Sequence, residues 1–512
     1  MLNTESSNIE IMAPVGCWES LSAAIHAGAT SVYFGIEHLN MRARSSVNFT
    51  TEDMATIVAT CREAGVKTYL TVNTVMYPED LPLMREIVDK AHAVGVDAVI
   101  ASDIAVMQYA NSIGQEVHLS TQLNIANTEA LKFYAQFADV VVLARELNME
   151  QVASIYRDIQ EQHICGRNGQ PIRIEMFCHG ALCMAVSGKC YLSLNNYGLS
   201  ANRGACVQVC RRGYTVKDKS SDLELDVDNQ YIMSPKDLKT IHFLNKMLDA
   251  GVRVLKIEGR ARGAEYVDTV VRCYREAVEA WQNGEYRRAS GGEQPCGIDA
   301  KIADWNERLS RVFNRGFWDG YYQGQKLGEW THSYGNKATR KKVYAAKCTN
   351  FFKNLSVAEF IVEAIDAIEE GQPLLITGET TGVYECTATG MHDTNGNPTS
   401  RVRQGEFFSL KTDRLIRRGD KLFIWDETNE CDSAHSILLK YTLVRLVDVR
   451  PPALRFTQRG VSTGRHHPGE ELSIGPNGPY VQRVSGYLDG TTAHGDLPHR
   501  YHRHGDLSLL HD

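Results

Sequence analysis

The sequence predicts an α/β protein whose core is a (β/α)8 barrel of the TIM type, with a cysteine-rich insertion and a small β-barrel domain after it. Three observations support this prediction. Short apolar runs alternate with amphipathic segments from Asn8 onward, at intervals of about 25 to 35 residues. The strand candidates of this alternation number eight. From about Lys341 the rhythm changes to short strands separated by Gly and Asp turns.

The first part of the chain repeats a strand followed by a helix. Ile9–Pro14 is apolar and predicts a strand, and the segment from Trp18 predicts a helix that ends at Gly28. A doubly wound open sheet is the alternative, but no G-x-G-x-x-G motif follows the first strand. Seven further apolar runs complete the predicted barrel, at 31–35, 67–73, 97–102, 116–121, 139–145, 172–178 and 253–259.

The chain of 512 residues is long enough for two or three domains. We expect the barrel at 1–335, with the cysteine-rich insertion at 178–212 following the seventh strand, where the catalytic loops of such barrels gather. The small β-barrel domain is expected at 336–440. The remainder, 441–512, is rich in Pro, Gly and His and is expected to be a poorly ordered tail.

The charge balance and the chain's apolar content exclude several classes of protein. The 55 Lys and Arg against 62 Asp and Glu give a net charge of −7, which argues against a protein that coats nucleic acid over its whole surface. The net charge does not exclude a local basic patch. The sequence has no long apolar run of transmembrane type and no N-terminal signal pattern, so we expect a cytoplasmic protein without membrane partners.

Five cysteines lie within the 33 residues from Cys178 to Cys210. A reducing cytosol disfavours disulfides, and the paired C-x2-C spacing typical of zinc sites is absent from this stretch. Six, fifteen and three residues separate Cys183, Cys190, Cys206 and Cys210 in turn. Such irregular spacing with interspersed glycines suits an iron–sulfur cluster, and reduced buried cysteines are the alternative.

Polar side chains stand where several predicted barrel strands end, so they would meet at one face of the barrel. The set contains charges of both signs and suits a small dicarboxylate, because Arg binds carboxylates bidentately while acidic groups orient hydroxyls. Internal salt bridges are the alternative for each residue. Strand alternation places Glu175, Phe177 and His179 on one face. The residues are Ser120, Thr121, Gln122, Arg145, Glu146, Glu175, His179, Lys256, Glu258 and Arg260.

Four sequence motifs resemble the collagenase-like "peptidase" family of unassigned catalytic type, over about residues 8 to 330: FCHGALCMAVSGKCYLS, NRGACVQVCRR, SPKDL and LKIEGR. Bacterial members of that family include proteins that hydroxylate the wobble uridine of tRNA with prephenate, a cytidine of ribosomal RNA, or a ubiquinone precursor. The resemblance implies a four-iron cluster (4Fe-4S) held by Cys183, Cys190, Cys206 and Cys210. Cys178 falls at a variable position of the motif.

The function that this resemblance implies is hydroxylation of wobble uridine in tRNA, with prephenate as co-substrate and tRNA, or else ribosomal RNA, as partner. Glu175, His179 and Arg145 are then the expected catalytic residues. A peptidase is the second hypothesis, although H-E-x-x-H and G-x-S-x-G are absent from the sequence. A third is that the cysteines form a structural metal clamp on a binding module. The residues expected to bind substrate are Gln122, Lys256, Glu258 and Arg260.

Overall fold

The computed structural model describes residues 9–44, 48–221, 223–227, 233–286, 297–331 and 335–427. The predicted tail at 441–512 and the end of the predicted β domain lie outside these residues, as does Cys296. No helix in these ranges is both long and apolar enough to span a bilayer.

Strands and helices alternate through the first 180 residues of the chain. Their strands are β1 (Glu10–Pro14), β2 (Ser31–Phe34), β3 (Lys67–Val72), β4 (Ala98–Ala101), β5 (Glu116–Leu119), β6 (Val140–Val142) and β7 (Arg173–Gly180). Their helices are α1 (Trp18–Ala27), α2 (Asp53–Glu63), α3 (Leu81–Val94), α4 (Ile104–Ser112), α5 (Thr128–Ala135) and α6 (Met149–Glu161).

Local sequence fixes the ends of several of these helices. The α1 helix ends at Gly28, whose φ of 88° is the left-handed conformation that glycine adopts without strain. The α6 helix begins with a reciprocal pair of hydrogen bonds between Asn148 and Gln151, which satisfies two backbone donors of its first turn.

A long inserted segment separates β7 from the last barrel strand. It contains α7 (Leu192–Tyr197), the hairpin β8 (Tyr214–Lys217) and β9 (Glu224–Val227), then β10 (Asp237–Lys239) and α8 (Leu244–Asp249). The chain continues with β11 (Val252–Ile257), α9 (Ala264–Gln282), α10 (Gly297–Ser310) and β12 (Phe317–Trp318).

Eight parallel strands close into a barrel, as the sequence predicts. Each of the strands β1 to β6 pairs in parallel with the next, and β11 pairs in parallel with both β1 and β7. Cys178 lies within β7, and Cys183, Cys190, Cys206 and Cys210 follow the C-terminal end of that strand. The main apolar core lies between the strands and the surrounding helices. A second, smaller cluster belongs to alternate strand positions, which in a barrel point inward: Met12, Tyr33, Tyr69, Ala98, Ile100, Val140 and Val254.

An antiparallel sheet follows the barrel. Its strands are β13 (Arg340–Phe352), β14 (Val357–Val362), β15 (Ala367–Glu369), β16 (Pro373–Gly378), β17 (Gly382–Thr387), β18 (Arg401–Arg403), β19 (Phe407–Lys411) and β20 (Lys421–Glu427). Six of them form a sheet in the order β17-β16-β20-β13-β14-β19, and β15 pairs with β18. These strands form the antiparallel β domain that the sequence predicts after the (β/α)8 barrel.

Candidate active site

A pocket of about 260 Å³ opens at the C-terminal ends of the barrel strands. Its floor includes Tyr33, Ile100 and Phe177 from barrel strands. Its other wall comes from residues 181–217, which we call the cysteine segment. A pocket at this end of a (β/α)8 barrel is where such enzymes carry out their chemistry.

Hydrogen bonds hold the cysteine segment against the loops that follow the barrel strands. Arg203 donates to the Asp80 carboxylate at 2.6 Å, and Arg145 donates to the Ser187 hydroxyl at 2.9 Å. Gly204 has a φ of 84°, and a Cβ atom there would lie 2.3 Å from the backbone oxygen of Asn40. Only glycine allows this close approach, so the segment's contact with the β2–α2 loop depends on it.

All four cysteines of the family motif line this pocket: Cys183, Cys190, Cys206 and Cys210. Burial raises the pKa of the Cys210 thiol to about 11, the nearby Arg211 guanidinium opposes this rise, and the other three thiols are close enough to add to it. Four thiols around one wall are a donor set of the kind that binds an iron–sulfur cluster. Among the described residues, no three His, Cys, Asp or Glu side chains are grouped closely enough to hold a single metal ion.

Basic side chains surround the thiols. The Arg42 guanidinium interacts electrostatically with Cys206, and that of Arg211 interacts with Cys183 and Cys210. Cations at these positions favour thiolates over thiols and would balance the negative charge of a thiolate-ligated cluster. The residues present therefore fit such a group.

The lining as a whole is strongly positive. It has seven basic residues against the two acids Asp237 and Glu258, which gives a formal charge of +5. Among the described residues, no carboxylate lies within ion-pair distance of the Arg145, Arg260 or Arg262 side chain, so each can accept one from a ligand. The basic residues are Arg42, Arg145, Arg211, Lys256, Arg260, Arg262 and Arg315.

Arg260 is one of the most buried of these cations. It is 7% exposed and donates to the Asn40 side-chain oxygen at 3.2 Å and to the Thr71 hydroxyl at 2.9 Å. Burial lowers its pKa to about 10, so it remains charged at neutral pH. Both hydrogen-bond partners are neutral. Its charge is therefore available to an anion in the pocket.

The Glu258 carboxylate balances part of this charge. Arg42 donates to its Oε1 at 2.8 Å, and the Tyr33 hydroxyl lies 3.3 Å from its Oε2. Burial alone would raise the pKa of Glu258, but Arg42, Arg260 and Arg145 together hold it below its ordinary value. Glu258 is therefore ionised at neutral pH and can accept a hydrogen bond from a bound hydroxyl.

The structure brings together most of the residues that the sequence singles out. Gln122, Arg145, Lys256, Glu258 and Arg260 line the same pocket as the four cysteines, as do Ser120 and Thr121. Glu175 is fully buried behind the lining and contacts the pocket through Lys256.

The predicted placement of His179 beside Glu175 and Phe177 is wrong. The pairing of β7 with β11 shifts register after Phe177, because an extra residue there makes His179 pair with Ile257. This β-bulge turns the His179 ring away from the barrel interior and places it among Tyr266, Tyr274 and Phe317. His179 does not line the pocket, and burial with the charge of Lys239 lowers its pKa to about 3.

Sequence reasoning missed three of the basic lining residues: Arg42, Arg211 and Arg262. All three stand outside the strands, where periodicity carries no information. Arg211 could have been found, because it lies inside the NRGACVQVCRR motif. The sequence does single out Arg315, in the stretch FNRGFWDGYY, as a residue that could stack on a base together with the aromatic side chains there, with an aromatic core patch as the alternative. In that second stretch Trp318 and Tyr322 are buried, so they belong to the packing around the barrel.

Comparison with known proteins gives one family and several relatives. Residues 16–332 match the family described as Peptidase family U32. A Porphyromonas gingivalis protein named "Collagenase" is 59% identical over 424 residues, which cover 83% of this chain and 99% of that protein. The Bacillus subtilis "tRNA hydroxylation protein P1" is 32% identical, over 62% of this chain and 74% of its own length. The Escherichia coli "23S rRNA 5-hydroxycytidine C2501 synthase" is 33% identical, over 57% of this chain and 43% of that protein.

Proposed function

The chain belongs to peptidase family U32, and from this premise we propose that it hydroxylates a pyrimidine base of RNA in the pocket between the barrel and the cysteine segment. The substrate we propose is the wobble uridine of tRNA, with prephenate as co-substrate. We assign Cys183, Cys190, Cys206 and Cys210 as ligands of a four-iron cluster.

One observation carries this proposal: four thiols and seven basic side chains line the same pocket. Family relatives named for tRNA and ribosomal RNA hydroxylation support the choice of reaction. When bound, a thiolate-ligated cluster supplies one-electron redox chemistry at the pocket wall. The chain's own residues bind and orient the two substrates.

The barrel side of the pocket suits a dicarboxylate such as prephenate. Arg145 and Arg260 each offer a planar guanidinium that can bind one carboxylate bidentately. Lys256 adds a third cation and is held in place by its bond to Glu175. Glu258, which stays ionised, accepts a hydrogen bond from the ligand's hydroxyl group. Gln122 donates to the backbone oxygen of Asn73 at 3.1 Å and is thereby fixed at the edge of the pocket.

Replacement of a ring C–H by C–OH is a two-electron oxidation, so the reaction needs a co-substrate that supplies oxygen and accepts electrons. We assign that role to prephenate: its ring C–OH bond and the uracil C–H bond both break, the hydroxyl group goes to uracil, and the hydrogen goes to the prephenate carbon. Uracil thereby loses two electrons and prephenate gains two. The uracil ring would then lie between the bound dicarboxylate and the thiols. A pocket of about 260 Å³ is small for both molecules together, so we expect the segment at the opening to hold the rest of the nucleotide outside.

A peptidase is the second candidate, because a relative that is 59% identical along almost its whole length is named "Collagenase". A cysteine peptidase would pair one thiol with a histidine. Among the described residues, no cysteine Sγ is hydrogen-bonded to a histidine ring. We therefore rank this candidate below hydroxylation, which uses the observed thiols and cations together.

Nucleoside mass spectrometry tests the proposal. A strain that lacks this gene should lose the wobble nucleosides derived from 5-hydroxyuridine, and wild type should restore them while Cys206→Ala does not. Unchanged tRNA in the deletion strain would overturn the tRNA proposal, and a change confined to ribosomal RNA would move the substrate there. Gelatin cleavage by purified protein that survives removal of iron would support the peptidase.

A further inference from the structure

The outer face of the cysteine segment exposes large side chains beside the pocket. Within α7 and the residue before it, Leu192 lines the pocket and Ser193 is 1% exposed. Tyr191, Leu194 and Tyr197 instead are 67%, 42% and 50% exposed. Their spacing of three places them on one side of this short helix. Clustered exposed side chains of this size mark a binding surface.

The charge of the cysteine segment is opposite to that of the chain. Residues 181–217 contain five basic residues and no acidic residue, whereas the whole chain carries a net charge of −7. Lys189 and Arg212 are both exposed. A positive surface on a negative protein concentrates a polyanion at that place. The five basic residues are Lys189, Arg203, Arg211, Arg212 and Lys217.

On this face, arginine guanidinium groups lie next to tyrosine rings. The Arg212 guanidinium lies 4.9 Å from the centre of the Tyr197 ring and also donates to its hydroxyl. Nearby, Arg203 lies 3.9 Å from the centre of the Tyr77 ring, which is 45% exposed. Aromatic rings next to arginines bind nucleic-acid bases by stacking, while the charges meet the backbone phosphates.

We propose that this face, formed by Tyr191, Leu194, Tyr197, Lys189 and Arg212, binds single-stranded RNA next to the pocket. Bases stack on the two tyrosines, and the phosphates contact Lys189 and Arg212. The inference rests on the proposed function, since it supplies the docking surface for that substrate. Tyr191 stands between two pocket-lining residues in sequence, so a nucleotide stacked there is adjacent to the opening.

Two features favour RNA over an anionic membrane as the occupant. Helices that lie on membranes present a continuous apolar face of several turns, and α7 has six residues. Of the three large hydrophobic side chains of the face, the two most exposed are tyrosines, whose rigid rings suit stacking on bases. Unpaired bases in loops present the flat surfaces that such rings contact.

The test is a binding titration of the full-length protein with a fluorescent RNA hairpin that has an unpaired loop. We expect Tyr191→Ala and Tyr197→Ala each to weaken binding about fivefold or more, and Tyr191→Phe to bind like wild type. Arg212→Gln should lower the slope of affinity against salt concentration by about 0.7 in logarithmic terms. Phe133→Ala is the control, because Phe133 is 53% exposed but lies on α5, outside the cysteine segment.

Three other outcomes would decide against the inference. Alanine variants that bind the hairpin as tightly as wild type, with unaltered melting temperatures, would overturn it. Binding of wild type to vesicles of anionic lipid but not to the hairpin would replace RNA by a membrane. If the alanine variants lose binding to heparin while their binding to RNA is unchanged, the face has only a nonspecific charge effect.

The proposed function is judged separately, by hydroxylated nucleoside formed on whole tRNA. If wild type forms none while the tyrosine variants still lose hairpin binding, the docking surface stands and the hydroxylation proposal fails. If hydroxylation proceeds and the tyrosine variants show an unchanged KM for tRNA, the docking surface fails and the hydroxylation proposal stands. A raised KM with retained kcat supports both.

Discussion

The Lys256 ammonium lies 2.6 Å from Oε1 of Glu175, and the two side chains are 6% and 0% exposed. The pair joins adjacent barrel strands, β11 and β7, directly below the pocket. Lys256 also lies over the rings of Tyr33 and Phe177, at 4.8 and 5.6 Å from their centres. The second Glu175 oxygen is buried without a hydrogen-bond partner among the described residues. Glu175 therefore acts on the pocket by positioning Lys256.

Breaking this pair should destabilise the barrel. We expect Glu175→Gln to cost about 3 to 5 kcal/mol, because it leaves the Lys256 charge buried without its partner. The double variant Glu175→Gln with Lys256→Met removes both charges and should be less destabilised than Glu175→Gln alone. Urea unfolding followed by circular dichroism measures both. Equal destabilisation of the single and double variants would contradict a role for the charge.

Substitution of the four proposed cluster ligands should lower the iron content of the protein, whereas substitution of another cysteine should not. We expect Cys183→Ser, Cys190→Ser, Cys206→Ser and Cys210→Ser each to lose most of the bound iron and sulfide after anaerobic reconstitution, because each removes one thiolate from the pocket wall. Cys165→Ser is the matched control, since Cys165 is exposed and does not line the pocket. Iron and sulfide analysis with visible absorption measures the effect. Full iron content in all four variants would refute the assignment.

The sequence predicts the barrel well because its periodicity is regular. Strand and helix signals alternate through β1 to β7, and β11 completes the count of eight. The location of the cysteines after β7 follows from that order. Short strands separated by turns also predict the antiparallel C-terminal domain, but the strand order β17-β16-β20-β13-β14-β19 depends on long-range pairing that leaves no local signal.

The candidate site is predicted only in part, for two physical reasons. Strand-end residues such as Lys256 and Glu258 follow from the barrel geometry, but Arg42 and Arg262 come from loops whose paths depend on tertiary contacts. The position of His179 depends on one bulge residue, and a shift of one residue moves a side chain to the other face of a strand. Neither feature leaves a periodic signal.

The affinity of the pocket for a dicarboxylate should depend on Arg260. Because its hydrogen-bond partners are the neutral groups of Asn40 and Thr71, its charge is available to a ligand, and Arg260→Gln should weaken prephenate binding about tenfold or more. Arg260→Lys keeps the charge but loses the planar fork, so we expect an intermediate affinity. Isothermal titration with prephenate measures this. Arg62→Gln, on the far end of α2, serves as control.

The acid stability of the protein should depend on His179. Its pKa is about 3 in the folded protein, because burial and the Lys239 charge disfavour the imidazolium, and about 6.5 when unfolded. Between these values the unfolded chain binds the additional proton, so stability falls as the pH decreases from about 6.5 toward 3, by up to ~1.4 kcal/mol per pH unit. His179→Phe removes this contribution, so the melting temperature of the variant should fall less between pH 6.5 and about pH 3 than that of wild type. An equal fall in the two proteins would contradict the prediction.

The contact between the barrel and the sheet should depend on Gly382. This glycine has a φ of 67°, and a Cβ atom would lie 2.8 Å from the backbone nitrogen of Ala23 in α1. Gly405 has a similar φ of 83°, but nothing lies within 4 Å of the corresponding Cβ position. Both alanine variants carry the backbone strain of about 1 to 2 kcal/mol, and only Gly382→Ala must also displace α1.

We therefore expect the melting temperature of Gly382→Ala to lie at least about 4 °C below that of Gly405→Ala. Limited proteolysis should also cleave Gly382→Ala faster near β17, since the displaced strand no longer packs on α1. Equal melting temperatures for the two variants would mean that the glycine is needed only for its backbone conformation. In that case, the packing of α1 against β17 contributes little to stability.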